Sequence, residues 1–306
     1  MLISVCICTF RRPVLLLDLL QAIGQQQLPS LEDKVEIIVV DNDQAHSAFT
    51  VLSNWISPPS FHLTFIHEPV PNIAVARNAA INKASGDWIV FIDDDETPHE
   101  NWLLKLFETQ RFFQADAVFG PVLPRYGEHT PQWIREGAYF DRRRFKTGTR
   151  IDEADARTSN VVVNRNRLNA LEGPFEKSFG RTGGEDSVLF RDLLAKGCRF
   201  VWCDEAIVSE DVPLDRASAK WLLRRSFRVG QTWIRAELYR LSLKAKIWRA
   251  CILGARACLQ LAVSFALALL WMPVSFVKGF RWLRISAMQA GKITGMTRFQ
   301  YHEYGG

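Results

Sequence analysis

An α/β fold, built on a mostly parallel sheet with helices on both faces, is predicted for the first two thirds of the chain. Three observations predict it. Short β-branched runs alternate with helical stretches, the runs are apolar throughout, and proline or glycine marks where helices start and stop. Residues 3–9 (ISVCICT) give a first buried strand, and Pro13 opens the helix that VLLLDLLQAI continues. Residues 35–41 (VEIIVVD) and 63–68 (LTFIHE) are the second and third strands. Residues 73–84 are helical, closed by Ser85-Gly86 in the manner of a C-cap. Residues 88–93 (WIVFID) make a fourth strand and residues 98–115 a helix. Residues 121–172 are less regular, rich in arginine and turn-formers, and end in a strand-like segment at 160–164. A helix over 185–196 stops at Gly197, a strand follows over 200–208, and a long helix over 217–241 carries Arg224, Arg225 and Arg228.

The 306 residues, 48% hydrophobic, suffice for one large domain or two smaller ones. The net charge of +5 conceals a division. From Arg216 onward sixteen Lys or Arg stand against only Glu237 and Glu303, a balance of +14, which leaves −9 for the residues before. An acidic body (1–215) joined to a basic tail (216–306) points to an acidic cleft and a partner with a negative surface. Residues 257–277 hold no charge and match the ~20 apolar residues that cross a bilayer. Basic residues flank this run on both sides, Trp248, Trp271 and Trp282 lie near its ends, and Pro273 interrupts it. A span, a re-entrant hairpin and a helix lying in the interface all fit, and the plain alternative is a soluble core helix. The six cysteines have no zinc-site spacing and are expected as unpaired buried thiols, suited to a reducing compartment. No basic leader precedes the first strand.

Ligands of open parallel sheets collect beyond the carboxyl ends of the strands. Here those ends carry Thr9 and Arg11, Asp41, and Asp93-Asp94-Asp95. Three consecutive carboxylates in a cleft repel one another unless a cation offsets them, and oxygen-only ligands select Mg²⁺ or Mn²⁺. Asp93 and Asp95, two apart, can face one ligand together. A solvated, helix-capping turn is the plain alternative. Asp41 can accept from a nucleobase or ribose, or simply cap a turn. Gly183-Gly184-Glu185-Asp186 offers a general base at a helix start, or ordinary first-turn capping. The first strand is followed by CTFRRP, with no glycine, which disfavours dinucleotide enzymes and nucleotidyltransferases with glycine-rich phosphate loops. The basic residues flank an apolar run rather than interleave with aromatics, so nucleic acid is not expected as a partner.

Together, ISVCICTFRRP, VEIIVVDN, VARNAAINKASGDWIVFIDDDE, GPFEKSFGRTGGEDSVLFRDLLAKG and RRSFRVG resemble glycosyltransferase family 2, whose catalytic domain has the Rossmann-like GT-A fold. The resemblance runs from residue 3 to about residue 230. It implies that Thr9, Arg11 and Asp41 hold the nucleotide, commonly uridine, supported by Arg77 and Asn78. It places Asp93, Asp94 and Asp95 in the DxD motif, with Asp95 as the metal contact and Asp93 toward ribose or metal. Asp186 falls on the catalytic base, with Glu185 beside it. The family's histidine near the metal is absent, and Glu210 in VSEDVP either takes its place or is an ordinary loop acid. The Q-x-x-R-W of polymer synthases is also absent, which argues against processive synthesis. Arg225 and Arg228 either meet the nucleotide's diphosphate or a lipid headgroup.

The sequence is similar to exopolysaccharide glucosyltransferases of the succinoglycan type. That similarity, with the tail, implies an inverting transfer of a hexose, glucose, from a UDP-sugar to a polyprenyl-diphosphate-linked oligosaccharide. The enzyme is expected at a membrane surface, on the cytoplasmic face of the inner membrane. Rival readings are a membrane-associated transferase acting on a protein or lipid headgroup, and a basic binding module without catalysis.

Overall fold

The computed structural model describes residues 1–297. Strand β1 (Leu2–Thr9), helix α1 (Pro13–Gly24), β2 (Lys34–Asp41), α2 (Phe49–Asn54), β3 (Phe61–His67), α3 (Ile73–Lys83) and β4 (Trp88–Phe91) alternate as expected. Next come β5 (Glu96–Pro98), α4 (Trp102–Phe113), β6 (Ala117–Phe119), β7 (Val122–Tyr126), α5 (Gln132–Gly137), β8 (Val161–Asn164) and α6 (Arg165–Asn169). Helix α7 (Glu185–Ala195), β9 (Phe200–Trp202), β10 (Val208–Val212), α8 (Ala219–Leu238), α9 (Leu243–Trp271) and α10 (Phe276–Thr294) complete the described chain.

The main sheet runs β3-β2-β1-β4-β8-β6-β9. Its first four strands are mutually parallel, and β8 lies antiparallel between β4 and β6. Helices cover both faces, so strand residues are apolar on both sides. Ile3, Val5 and Ile7 pack with Leu16 and Leu20 of α1 and with Trp102 and Phe107 of α4. Cys6 and Ile38 turn the other way, toward Ala76 and Ala80 of α3 and Phe190 of α7.

A second sheet, β5-β10-β7, explains the departures from the expected boundaries. Residues 96–98 pair antiparallel with β10, so the helix expected from 98 starts at Trp102. The strand expected over 200–208 is two strands, because the chain leaves the main sheet after Trp202 and enters the small one at Val208. The irregular stretch 121–172 supplies β7 and α5. Helix α9 begins at Leu243, well before the uncharged run, and stops ahead of Pro273. Of the cysteines, Cys251 and Cys258 are exposed on α9, against the expectation of burial.

Helix α10 lies between α8 and α9. Ile134 of α5, Val212, Leu222 of α8 and Phe280 of α10 share one core, and the Tyr139 hydroxyl donates to the Val277 carbonyl at 2.8 Å. Gly230 lets the α10 backbone come close: a Cβ there would stand 2.0 Å from the Met288 carbonyl oxygen.

Candidate active site

Register places the strand-end residues. Thr9 pairs with Asp41 across β1 and β2, while Cys6 pairs with Phe91 across β1 and β4. Counting three residues on from Cys6 and Phe91 puts Thr9 level with Asp94. The Thr9 hydroxyl indeed donates to Asp94 Oδ2 at 2.8 Å, and both residues are buried. Arg12 then grips the triplet from above, with Nη1 donating to Asp94 Oδ1 at 2.9 Å and to Asp95 Oδ2 at 2.8 Å. Burial pushes the Asp94 carboxyl up to about 6, although Arg12 opposes it.

Asp93 points elsewhere. Its carboxylate accepts from Arg77 Nη2 at 3.3 Å, and its side chain is 43% exposed. The other terminal nitrogen of Arg77 donates to Glu185 at 2.5 Å, so one buried guanidinium ties the triplet to the start of α7. Burial raises the Glu185 carboxyl while Arg77 pulls it down, and its Oε2 has no hydrogen-bond partner among the described residues. The helix start itself depends on glycine. Gly183 and Gly184 have φ of 79° and 101°, and a Cβ on Gly184 would sit 2.5 Å from Thr232 Cγ2. Asp186, half-buried, accepts from the Ser187 amide at 2.7 Å.

A cleft of about 520 Å³ opens over this edge. Thr9, Arg77, Asp93, Asp94 and Asp95 line it together with Glu210, Arg225 and Arg228. Glu210 of β10 stands directly opposite Glu96 of β5, and Arg142 donates to it at 3.2 Å. Burial pushes the Glu210 carboxyl up, with Arg142 opposing. Arg216 reaches two of these acids, 3.9 Å from Asp95 and 3.8 Å from Glu210. Arg225 lies over the rings of Phe140 and Trp221, and burial draws its guanidinium down to about 10.

Other expected residues stand outside the lining. Asp41 is fully buried and its two oxygens accept from the amides of Asp43 and Ala48, which shapes the loop after β2. Arg11 pairs with Asp43 at 3.1 Å and is 62% exposed. Asn78 is a fastener: its side chain exchanges two hydrogen bonds with the Phe175 backbone. Glu185 adjoins the cleft through Arg77, and Asp186 follows it in the first turn of α7.

Sequence reasoning missed Arg12, Arg142 and Arg216. Arg12 had a signal, the FRRP doublet, but nothing in it says which arginine turns inward or that Arg11 adopts φ 57°. Arg142 comes from the irregular stretch and Arg216 from the loop before α8, neither of which sequence could place.

The donor set suits a hard cation. Among the described residues no group of three or more His, Cys, Asp or Glu forms a ready cage. Mg²⁺ and Mn²⁺, however, need only one or two carboxylates when phosphate oxygens supply the rest. Asp95 and Glu210 offer oxygens in the cleft, and the guanidinium groups of Arg12 and Arg216 stand where positive charge is required.

Comparison with known proteins identifies the family and the fold. Residues 4–168 match the model of "Glycosyl transferase family 2". The succinoglycan biosynthesis protein ExoM of Rhizobium meliloti is 33% identical over 255 residues, covering 83% of this chain and 81% of that protein. A glucosyl-dolichyl phosphate glucuronosyltransferase of Haloferax volcanii is 28% identical over 52% of this chain and 53% of its own. Among solved structures, the mannosyltransferase PcManGT of Pyrobaculum calidifontis, in complex with GDP-Man and Mn²⁺, superposes with a TM-score of 0.61 at 20% identity. That match covers 94% of this chain and 86% of the other. Residues 1–349 of S. aureus TarS with UDP-GlcNAc give 0.52 at 15% identity, over 96% and 91%. The fold is therefore GT-A, and the chain belongs to glycosyltransferase family 2.

Proposed function

We propose that this glycosyltransferase moves glucose from a UDP-sugar to a polyprenyl-diphosphate-linked oligosaccharide during exopolysaccharide assembly, in one inverting, metal-dependent, non-processive step. The observation that carries the reading is the Arg77 bridge. It binds the carboxylates of the donor side (Asp93) to the helix that carries a general base (Glu185, then Asp186), so the two halves of a displacement are fixed in one frame. ExoM supports the exopolysaccharide setting, and the nucleotide-bound relatives support the donor class.

In this reading Thr9 and Arg12 hold Asp94 and Asp95 in place, and the Asp41 loop borders the nucleoside. Asp186 accepts the proton of the acceptor hydroxyl. The freed oxygen bonds to the anomeric carbon as the bond from that carbon to the diphosphate breaks, and the configuration inverts. Asp95, with Asp93 and Glu210 beside it, would hold a divalent ion whose charge offsets that gathering on the leaving diphosphate. Arg225 and Arg228 add positive charge in the same cleft. Helix α9 is long and apolar enough to cross a membrane, which supports a site of action at the cytoplasmic membrane surface. Assaying ¹⁴C-glucose transfer from UDP-glucose to a lipid-linked acceptor, with Mn²⁺ and with EDTA, tests the reading. Transfer unaffected by EDTA, or none from any UDP-sugar, would sink it.

A further inference from the structure

Helix α9 has the composition of a membrane span, yet its packing fixes a different posture. Its buried residues, Leu253, Ala257, Ser264 and Ala268, form one narrow stripe: Leu253 packs with Ile234 and Leu238 at the end of α8, and farther along the Ser264 and Ser286 hydroxyls of α9 and α10 pair at 2.8 Å. Beyond Ala257 the remaining surface is largely exposed and apolar, with Leu259, Val263, Leu269 and Leu270 outward, whereas the turns before it also expose Lys244, Lys246, Arg249 and Arg256. At 29 residues the helix is about 43 Å long.

The decisive fact is what lies behind it. Helix α10 meets the catalytic body along its whole length. Phe280 near its start packs among Ile134, Tyr139 and Leu222, and Gly291 near its end would put a Cβ 1.9 Å from the Phe227 carbonyl oxygen of α8. Helix α8 in turn walls the cleft with Arg225 and Arg228. Were α9 to stand upright across a bilayer, α10 and the arginine-bearing α8 would be carried into hydrocarbon with it, where each buried charge is strongly disfavoured. Laid flat, α9 meets lipid with its apolar face while α10 and α8 remain in water.

We propose that α9 lies in the plane of the membrane interface as a monotopic anchor, and that its occupant is an anionic lipid surface. Charge complementarity selects that occupant over a second copy of the chain. Lys244, Lys246 and Arg256 precede the apolar run, Lys278 and Arg281 follow it, and sixteen basic against two acidic residues follow position 215, so two such surfaces would repel. Lys278 sits over the Trp271 ring at 4.6 Å, an amphipathic pair at the hairpin tip.

This inference deepens the membrane part of the proposed function, and its test separates the two. Cys251, Cys258 and position 269 fall within about 20° of one another on the helix wheel. Spin labels placed singly on Cys251, on Cys258 (the other changed to Ser), and on a Leu269→Cys chain lacking both give three depths in the full-length protein on phosphatidylglycerol–phosphatidylethanolamine vesicles. We expect equal depths within about 5 Å near the headgroup boundary, and binding about tenfold or more weaker on pure phosphatidylcholine. A depth gradient approaching the roughly 27 Å rise between 251 and 269 would overturn the flat posture and leave membrane action intact. Failure to bind either vesicle, with a dimer in solution, would overturn both this inference and the membrane site of action. Neither result bears on sugar transfer, which the EDTA assay judges alone.

Discussion

Arg77 donates to Glu185 at 2.5 Å across 108 positions of sequence, and both side chains are buried. Breaking a buried ion pair from one side leaves an uncompensated charge, at a cost of about 3–5 kcal/mol. Arg77→Met should therefore lower stability by about that amount in urea unfolding. Adding Glu185→Gln should recover part of the loss, since the stranded carboxylate is removed. Strictly additive losses would mean that the pair is not coupled in solution.

Asp186→Asn keeps the shape of the helix start but cannot accept a proton. Turnover should fall about 10²–10⁴-fold while nucleotide affinity stays within a factor of a few. Near-normal turnover measured under saturating donor would move the base elsewhere.

At Gly184 the backbone has φ 101° and a Cβ would meet Thr232 Cγ2 at 2.5 Å. Gly184→Ala is expected to cost roughly 1–3 kcal/mol and to displace the first turn of α7, depressing kcat more than donor affinity. A variant as stable and as active as the parent would show that the turn is not constrained.

Cys8 lines the cleft, but burial pushes its thiol up to about 12, despite the lowering influence of Arg77. The thiolate appears only as pH rises toward that value, so the folded enzyme at pH 7.5 should leave Cys8 unmodified by iodoacetamide. Unfolding should expose it at once. Mass mapping that finds Cys8 alkylated in the native state at neutral pH would contradict the environment described here.

Much of this site could be read before any coordinates, for a physical reason. Thr9, Asp41 and the 93–95 triplet lie at strand ends, and parallel pairing of apolar strands brings such ends to one edge whatever the loops do. The helix-starting Gly183-Gly184-Glu185-Asp186 is a local signal of the same kind. What failed to show depends on long-range placement. Arg12 faces the triplet from beside Arg11, whose left-handed conformation no residue pattern announces. Arg142 reaches Glu210 across 68 positions from a segment without periodicity. The opposition of Glu96 and Glu210 needs a second sheet whose strands are three and five residues long, too short to announce themselves. Nor does composition distinguish a helix that crosses a bilayer from one that lies along it, because that difference resides in α10 and α8.

In the proposed reading the carboxylate edge binds a nucleoside diphosphate through a divalent ion. Calorimetric titration of UDP into the parent chain and into Asp95→Ala, each with Mn²⁺ and again with EDTA, tests it most directly. Binding should appear in the parent only with the ion and disappear in Asp95→Ala. Equal UDP affinity in all four titrations would contradict the account.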